Sequence, residues 1–445
     1  MNSNRCNRWL LLGCLVLTAA SLPAQQSQPQ TAPPQYSTPK ERSKYVKDLG
    51  KTGGSESIPK IAPYLADPNL DVRLDAVKAI VDIGTESSLD PLIKATHDND
   101  PEIQIRATDG LVNFYLPGYV KTGLTASLRR AGSSIKGKFS DRNNVVVDGY
   151  VHARPEIIAA LGQLATGGAS MDARANAARA LGILRGRQAV PQLEQALRTK
   201  DTQVIYESLV ALEKIRDESA GPQLAFLLHD LNEKVQLTAI EATGLLLNRG
   251  ASDELRDILD RSKNMKVKRA ALTAMAQMPD PKLHGVYVAY LDHKDEGLRE
   301  AAAEGLGRLK NPDDLPVLEK EFSNETKTEA RLSDAFALVD LGKHGMGEFD
   351  PLRYLVNNLN SAAYRDVAIP YLTELARDPA VRQALYPALK EATATKDEKT
   401  GLAQVLAASG GEDAVAPLQA LSQDSDNDVA QAGLLAVKNL RARLP

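Results

Sequence analysis

Cysteine is nearly absent from this chain of 445 residues: the two cysteines, Cys6 and Cys14, lie close to the N-terminus. The rest of the chain can therefore form neither a disulfide nor a cysteine-ligated metal site. Aromatic residues make up only 4% of the sequence, and the single tryptophan is Trp9. A folded core must consequently be built from aliphatic side chains and stabilised by their packing.

Sequence signatures of catalysis and of nucleic-acid binding are also lacking. The sequence contains no His-Glu-x-x-His zinc motif and no Gly-x-Ser-x-Gly nucleophile motif, and its six histidines are scattered. The 54 basic and 57 acidic residues give a net charge of −3, whereas nucleic-acid binding needs a basic stripe. We therefore predict no catalytic residue, no metal site, no cofactor and no nucleic-acid partner.

A recurring helical segment is the main feature that the sequence does contain. In residues 67–84, apolar side chains follow at offsets of 0, 4, 7, 8 and 11 from Val72, which is one face of an α-helix. A second apolar stripe in residues 58–65 precedes it, so one unit is a helical hairpin. We place the equivalents of Val72 at Ile105, Ala173, Val204, Val235, Val267, Leu298, Ala330, Tyr364, Glu398 and Val429.

The period of this repeat predicts the architecture. Apart from the step from Ile105 to Ala173, successive marked positions are 31 to 34 residues apart. A fixed period of this length is typical of a solenoid, in which each unit buries its apolar face only against its neighbours. We therefore predict an all-α solenoid of about eleven helical hairpins. Such an array presents a long surface that suits a protein partner better than a small molecule.

Four copies of the repeat carry a family resemblance. Each has a Val-Arg-like pair after a turn, small residues at every third or fourth position, and an apolar end that closes on Leu-Gly or a similar pair. These copies read DVRLDAVKAIVDIG, DARANAARALGIL, GLREAAAEGLGRL and EARLSDAFALVDLG. The pattern resembles the HEAT-like repeat family, in the short form associated with phycobilisome lyases, over roughly residues 55–445. The resemblance implies a right-handed α-solenoid and, for most members, a scaffold or adaptor function.

The same resemblance suggests a role for a recurring basic residue. The residue after the marked position is Arg73 in the first unit, and an arginine recurs there in several later units. In HEAT-like units a basic residue at this position resembles an internal ladder that bonds turn carboxylates and neighbouring carbonyls. We assign this structural role to Arg73, Arg106, Arg174, Arg299 and Arg331.

The N-terminal residues predict export. Residues 1–24 begin with basic Arg5 and Arg8, continue with an apolar run over residues 9–22, and end in small residues up to Ala24. This is the pattern of a secretory signal peptide, and the apolar run is short for a membrane span. We therefore expect a periplasmic or extracellular protein whose mature chain has no transmembrane segment.

Two further features concern the same end of the chain. Residues 11–14, Leu-Leu-Gly-Cys, resemble a lipobox, but lipoprotein anchoring through Cys14 would leave only a short apolar core before the cysteine, so we favour ordinary cleavage. Residues 25–40 are rich in Gln, Pro and Ser, which predicts a disordered linker. We expect the solenoid to occupy residues 41–445.

One long insertion, residues 113–150, interrupts the repeats. It is rich in glycine, carries six basic residues against two acidic ones, and interleaves them with aromatic residues. The segment is either a solvated loop whose aromatics fold back or a recognition element for an acidic partner, and the sequence leaves both open. The candidate partner-binding residues are Tyr115, Tyr119, Lys121, Arg129, Arg130, Lys136, Lys138, Phe139, Arg142 and Tyr150.

Taken together, these features favour an exported scaffold or adaptor that binds a protein partner through its concave groove and the insertion, and that is not an enzyme. The resemblance implies one alternative, an enzyme or enzyme accessory of the lyase or hydroxylase type. The iron-dependent hydroxylase built on such repeats uses recurring His-Glu pairs, and no His-Glu dipeptide occurs here. A second alternative is an envelope protein that binds an acidic glycan through the basic insertion.

Overall fold

The computed structural model describes residues 37–120, 145–391 and 393–444. The predicted signal peptide and residues 25–36 of the predicted linker lie outside these ranges, as do residues 121–144 of the insertion. Within them the chain forms α-helices and short 3₁₀-helices, and no strand occurs. The predicted all-α solenoid is confirmed. No helix in the described ranges is both long and apolar enough to span a membrane.

The helices form two layers, which we call inner and outer. The inner helices are α1 (Pro39–Thr52), α3 (Leu70–Ile83), α5 (Pro101–Tyr115), α7 (Met171–Ile183), α9 (Thr202–Ile215), α10 (Glu233–Leu245), α12 (Met265–Ala276), α14 (Glu296–Leu309), α16 (Thr328–Asp340), α18 (Arg365–Leu375), α20 (Lys396–Ser409) and α22 (Asn427–Arg443). The outer helices are α2 (Ile58–Ile61), α4 (Leu89–Ala95), α6 (Pro155–Gly167), α8 (Val190–Ala196), α11 (Ser252–Arg261), α13 (His284–Tyr290), α15 (Leu315–Asn324), α17 (Pro351–Asn357), α19 (Pro379–Leu385) and α21 (Val415–Leu421). A 3₁₀-helix, Glu218–Leu227, replaces the outer helix before α10.

Short polar side chains set where the inner helices begin. The side chain of Asn69 accepts a hydrogen bond from the backbone N–H of Val72, and Asp100 accepts from the N–H groups of Glu102 and Ile103. Such caps satisfy donors that have no partner inside the helix. In both helices the third residue after the cap, Val72 or Ile103, is buried at the start of the apolar stripe.

This capping rule corrects the predicted register of the second unit. Asp100 caps α5, so Ile103 is the equivalent of Val72 and is buried, whereas Ile105 is only half-buried. Because each helical residue turns by about 100°, a shift of two residues moves a side chain to nearly the opposite face of the helix.

Adjacent inner helices approach closely at glycines. A Cβ atom built at Gly182 would lie 2.8 Å from the Cα of Ala211, and one built at Gly307 would lie 2.6 Å from the Cα of Ala337. These distances are too short for any side chain. The Leu-Gly pair at the end of a repeat therefore exists because the next inner helix packs against the bare backbone.

The insertion leaves the stack of inner helices unbroken. Asn176 of α7 donates from Nδ2 to the carboxylate of Asp109 in α5 (3.1 Å), and the backbone N–H of Ala169 donates to Oε1 of Gln104 (2.9 Å). The second and third units therefore pack directly on each other, although the insertion separates them in the sequence. Because α5 extends to Tyr115, the insertion starts after this residue, not at residue 113; likewise, α1 starts at Pro39, inside the predicted linker.

Gly307→Ala should lower the free energy of unfolding by about 1–3 kcal/mol, because the added methyl group forces α14 and α16 apart. Gly285→Ala is the matched control, since this exposed glycine lies in α13 and a Cβ built there meets no atom within 4 Å. The control should be neutral or stabilising by up to about 1 kcal/mol. Urea unfolding followed by circular dichroism measures both, and equal destabilisation would contradict the close-packing account.

Candidate functional site

The inner helices line the concave side of the array. They pack against one another more closely than the outer elements do, which bends the stack toward the inner layer. We call this concave surface the groove. Its bend brings units together that are far apart in sequence, and the contacts at one edge show this directly.

A short segment that follows the insertion crosses that edge. In this closing segment, residues 145–150, the N–H of Val147 donates to the carbonyl of Ile183 at the end of α7 (2.9 Å), and Val147 is buried. Nζ of Lys214 in α9 donates to the carbonyl of Val145 (3.3 Å). The closing segment is therefore anchored across the C-terminal ends of two inner helices.

The other side of the closing segment contacts the last helix of the array. The N–H of Gly149 donates to Oδ1 of Asn439 in α22 (3.1 Å), and Nδ2 of Asn439 is 3.4 Å from the carboxylate of Asp148. Nζ of Lys438 lies 3.6 Å from the ring centre of Tyr150. The third unit and the last unit thus meet through this segment, which closes the groove at one edge.

Three of the predicted partner-binding residues are described, and each is half-buried and contacts other parts of the chain. The hydroxyl of Tyr115 accepts a hydrogen bond from the N–H of Arg154 (3.1 Å), and Tyr119 packs against the core. The ammonium group of Lys438 lies over the ring of Tyr150. The other predicted residues lie outside the described ranges; they are Lys121, Arg129, Arg130, Lys136, Lys138, Phe139 and Arg142.

The predicted ladder residues bond as bridges where a carboxylate is available. Nε of Arg73 donates to Asp98 (2.9 Å), and Nη1 donates to the carbonyl of Asp67 (3.0 Å). Arg299 makes the same two kinds of bond, to Glu325 (2.7 Å) and to the carbonyl of His293 (2.9 Å). In both cases the carbonyl lies six residues earlier in the chain. The bridges tie an inner helix to the turns on either side of it.

Arg174 keeps half of this pattern. Its Nε donates to the carbonyl of Gly168 (3.0 Å), again six residues earlier. The residue that corresponds to Asp98 in the next turn is Thr199, which is not a carboxylate. Arg174 therefore closes its own turn without the second bond seen at Arg73.

Two predicted ladder residues are placed differently. Arg106 pairs with Glu102 within α5 (2.7 Å), while Gln104 donates to the carbonyl of Asp98 (2.7 Å) and occupies the ladder position, as the corrected register requires. Arg331 lies between two aromatic rings, with its guanidinium 4.8 Å from the ring centres of both Phe322 and Tyr354. Arg331 stabilises its turn by cation–π contact rather than by an ion pair.

The sequence analysis missed the first member of the ladder. Arg42 of α1 pairs with the carboxylate of Asp67 through Nε (2.6 Å) and Nη2 (3.0 Å). It precedes Arg73 by 31 residues, which is one repeat period, so the period itself was the signal that identifies it. Helix α1 is therefore the inner helix of a partial first unit.

Comparison with known proteins agrees with this geometry. A sequence profile of HEAT repeats matches residues 36–112, 158–244 and 252–338, more than half of the chain. The chain belongs to the HEAT repeat family. Phycocyanobilin lyase subunit alpha of Nostoc sp. (strain PCC 7120) is 30% identical over 196 residues, which cover 41% of this chain and 69% of that protein. The resemblance stated from the repeat motifs is confirmed.

Two solved structures are similar to the chain at low sequence identity. The complex of CpcE and CpcF of phycocyanin lyase from Nostoc sp. PCC7120 is 19% identical, with 67% of this chain and 92% of that chain covered and a TM-score of 0.31. Importin beta is 14% identical, with 89% of this chain and 58% of that chain covered and a TM-score of 0.37.

A buried polar network joins three inner helices of this HEAT-repeat array. Arg308 of α14 bonds Glu304 on its own helix (2.7 Å) and pairs with both carboxylate oxygens of Glu374 in α18 (2.7 and 2.8 Å). Tyr371 donates to Glu304 (2.6 Å) and is 2.8 Å from the hydroxyl of Ser333 in α16. Every charge in this network has a partner, so we assign it to the stacking of the HEAT repeats and not to catalysis.

The surroundings of Glu300 in α14 disfavour the charged form of its carboxyl group. Burial, followed by the negative charges of Glu329, Glu296 and Glu304, raises the pKa of Glu300 to about 7. Carboxylate oxygens of Glu296, Glu300 and Glu329 lie within 4.8 Å of one another. Acidic clusters are common on helical surfaces, and we assign no ligand to this one.

Arg73→Ala should cost about 1–3 kcal/mol of unfolding free energy, because it leaves the half-buried carboxylate of Asp98 and the Asp67 carbonyl without their donor. The control is Arg261→Ala, which removes an exposed arginine that pairs with Asp257 within α11 and should change stability by less than about 0.5 kcal/mol. Arg73→Lys should recover only part of the loss, since one ammonium cannot match the planar fork of a guanidinium. Thermal unfolding tests all three; equal melting temperatures for Arg73→Ala and Arg261→Ala would refute the bridging role.

Proposed function

We propose that this protein is an exported HEAT-repeat scaffold that binds a protein partner through its groove and the insertion. The observation that carries the proposal is the position of the closing segment. The two end residues of the closing segment lie at one edge of the groove. Val145 accepts a hydrogen bond from Lys214, and the ring of Tyr150 contacts Lys438. The closing segment directly follows residues 121–144 in the sequence, and these residues include all six basic candidates.

The composition of the groove also supports a protein partner. Several charged side chains of the inner helices are organised in pairs, such as Arg179 with Glu207 (2.6 Å) and Arg308 with Glu374. A mixed, polar surface of this length is typical of proteins that recognise other proteins, since interface rims are polar and charges set specificity. Most apolar residues of the inner helices are buried in the stack, whereas Leu70, Met171, Leu434 and Leu435 are exposed.

The test is affinity capture from an envelope extract of the source organism. The bait is the mature chain, compared with a variant in which residues 121–144 are replaced by a Gly/Ser linker of equal length. This replacement retains the closing segment, whose Val147 is part of the core. We expect a partner that the first bait retains and the second loses. Thermal unfolding of both baits is the control, and it should give the same melting temperature.

Two results would contradict the proposal. Equal capture by both baits would remove the insertion from recognition, and absence of any specific partner would remove the scaffold function itself. In the second case the similarity to a phycocyanobilin lyase subunit makes lyase-type activity the next candidate. Its test is whether the protein binds a bilin, read as a shift in the visible absorption of the pigment.

A further inference from the structure

The last inner helix, α22, presents one continuous exposed face. Because each helical residue turns by about 100°, all of its exposed residues except Arg443 fall within about 140° of one side. We call this set the end face; its members are Asn427, Asp428, Gln431, Leu434, Leu435, Lys438, Arg441 and Ala442. The opposite side of α22 is fixed in the stack by Val429, Ala436 and Leu440, which are buried.

Two leucines occupy the centre of the end face. Leu434 and Leu435 are 52% and 46% exposed. Counted from the helix caps, they hold the positions that Ala335 and Phe336 hold in α16, where both residues are fully buried. There the next inner helix covers Phe336, because the ring of Tyr371 in α18 stacks on it with the ring centres 4.9 Å apart. Among residues 37–120, 145–391 and 393–444, no helix covers the leucines of α22 in this way.

The first inner helix ends the array differently. Helix α1 exposes Lys40, Lys44 and Lys51, and none of its large apolar side chains is exposed. A solenoid keeps its terminal units soluble with a polar outer surface, and α1 meets this requirement. The end face of α22 instead has an apolar centre with polar residues around it, which is typical of a contact site between proteins.

The charges of the end face have opposite signs at its two ends. Asp428 lies in the first turn, is exposed and pairs with Lys396 of α20; Asp426 is 3.8 Å from the same ammonium group. Lys438 and Arg441 lie in the last two turns and are exposed. The end face is therefore acidic at its start and basic at its end.

Neighbouring charged groups leave this polarity unchanged. Next to the acidic end, Asp424 pairs with Lys399 (2.7 Å), so that three aspartates share two lysines there. Next to the basic end, Asp148 lies 3.4 Å from the amide of Asn439, while Arg443 adds a positive charge. Three basic groups thus outnumber the one aspartate at that end.

We propose that the end face binds the end face of a second copy of this chain, with the two α22 helices antiparallel. The two-fold axis would pass between Leu434 and Leu435, near the middle of the helix, so that each leucine meets the other leucine of the second copy. The leucines that no described helix covers would then cover one another.

The same alignment brings opposite charges together. Asp428 faces Arg441 of the second copy, and Gln431 faces Lys438 of the second copy, because these positions are equally distant from the axis. Both contacts occur twice in the dimer. A parallel alignment would instead place acid against acid and base against base, which is unfavourable.

The size of the end face sets the strength of this contact. Helix α22 has 17 residues and is about 25 Å long. A contact limited to this helix is smaller than the about 800 Å² per partner of a standard interface. We therefore expect a weak dimer whose population depends on protein concentration. The inference concerns contact between copies and does not depend on the proposed groove partner.

Sedimentation velocity of the mature protein over a range of concentrations tests the dimer. Leu435→Glu should weaken dimerisation about tenfold or more, because it replaces the apolar contact near the axis with two carboxylates. The control is Leu231→Glu, which changes a fully exposed leucine in the turn before α10 and should alter the dissociation constant less than about twofold. Both positions are exposed, so circular dichroism should give the same melting temperature for both variants.

Two charge reversals test the antiparallel alignment. Asp428→Arg or Arg441→Asp alone places like charges across the axis and should weaken dimerisation about fivefold. An equimolar mixture of these two variants should recover the dimer, since opposite charges again face each other in a mixed pair.

Four outcomes would overturn the inference. They are a monomer at every concentration, assemblies larger than a dimer, equal effects of Leu435→Glu and Leu231→Glu, and a mixture of the charge variants that does not recover. Larger assemblies would indicate end-to-end stacking of copies, and a monomer would mean that no second copy covers the end face.

Discussion

The close contact between consecutive inner helices is the constraint on which the rest of this structure depends. Small residues allow it, because the backbone of Gly307 packs directly on the backbone of Ala337 and equivalent pairs recur along the array. The inner helices contact one another more extensively than the outer elements do, so each unit adds a small bend in the same direction. The accumulated bend makes the groove and brings the last helix back to the third unit.

Much of the fold could be predicted from the sequence because solenoid contacts join neighbouring units. A period of 31 to 34 residues and the apolar stripe around Val72 were sufficient for the architecture. The register failed in the second unit because Ile103-Gln104 and Ile105-Arg106 both fit the pattern, and the cap formed by Asp100 decides between them. The capping hydrogen bonds of Asp100 thus determine the register of this helix, which periodicity alone does not determine.

The candidate site was predicted less well, for a different physical reason. The bonds between Gly149 and Asn439 join residues 290 positions apart, and no local pattern encodes them, since they follow from curvature summed over many units. Sequence analysis instead emphasised arginines that repeat, such as Arg73 and Arg299, and these serve the stack.

The closure of the groove by residues 145–150 is the central claim, and crosslinking tests it most directly. The mature chain predicted here has no cysteine, so Tyr150→Cys with Lys438→Cys gives one defined pair, and Tyr150→Cys with Lys320→Cys is the control, since Lys320 is exposed on the outer helix α15. A short bis-maleimide should link the first pair within one molecule and leave the control unlinked. Failure to link positions 150 and 438 in the folded protein, or equal linking of both pairs, would contradict a closed groove.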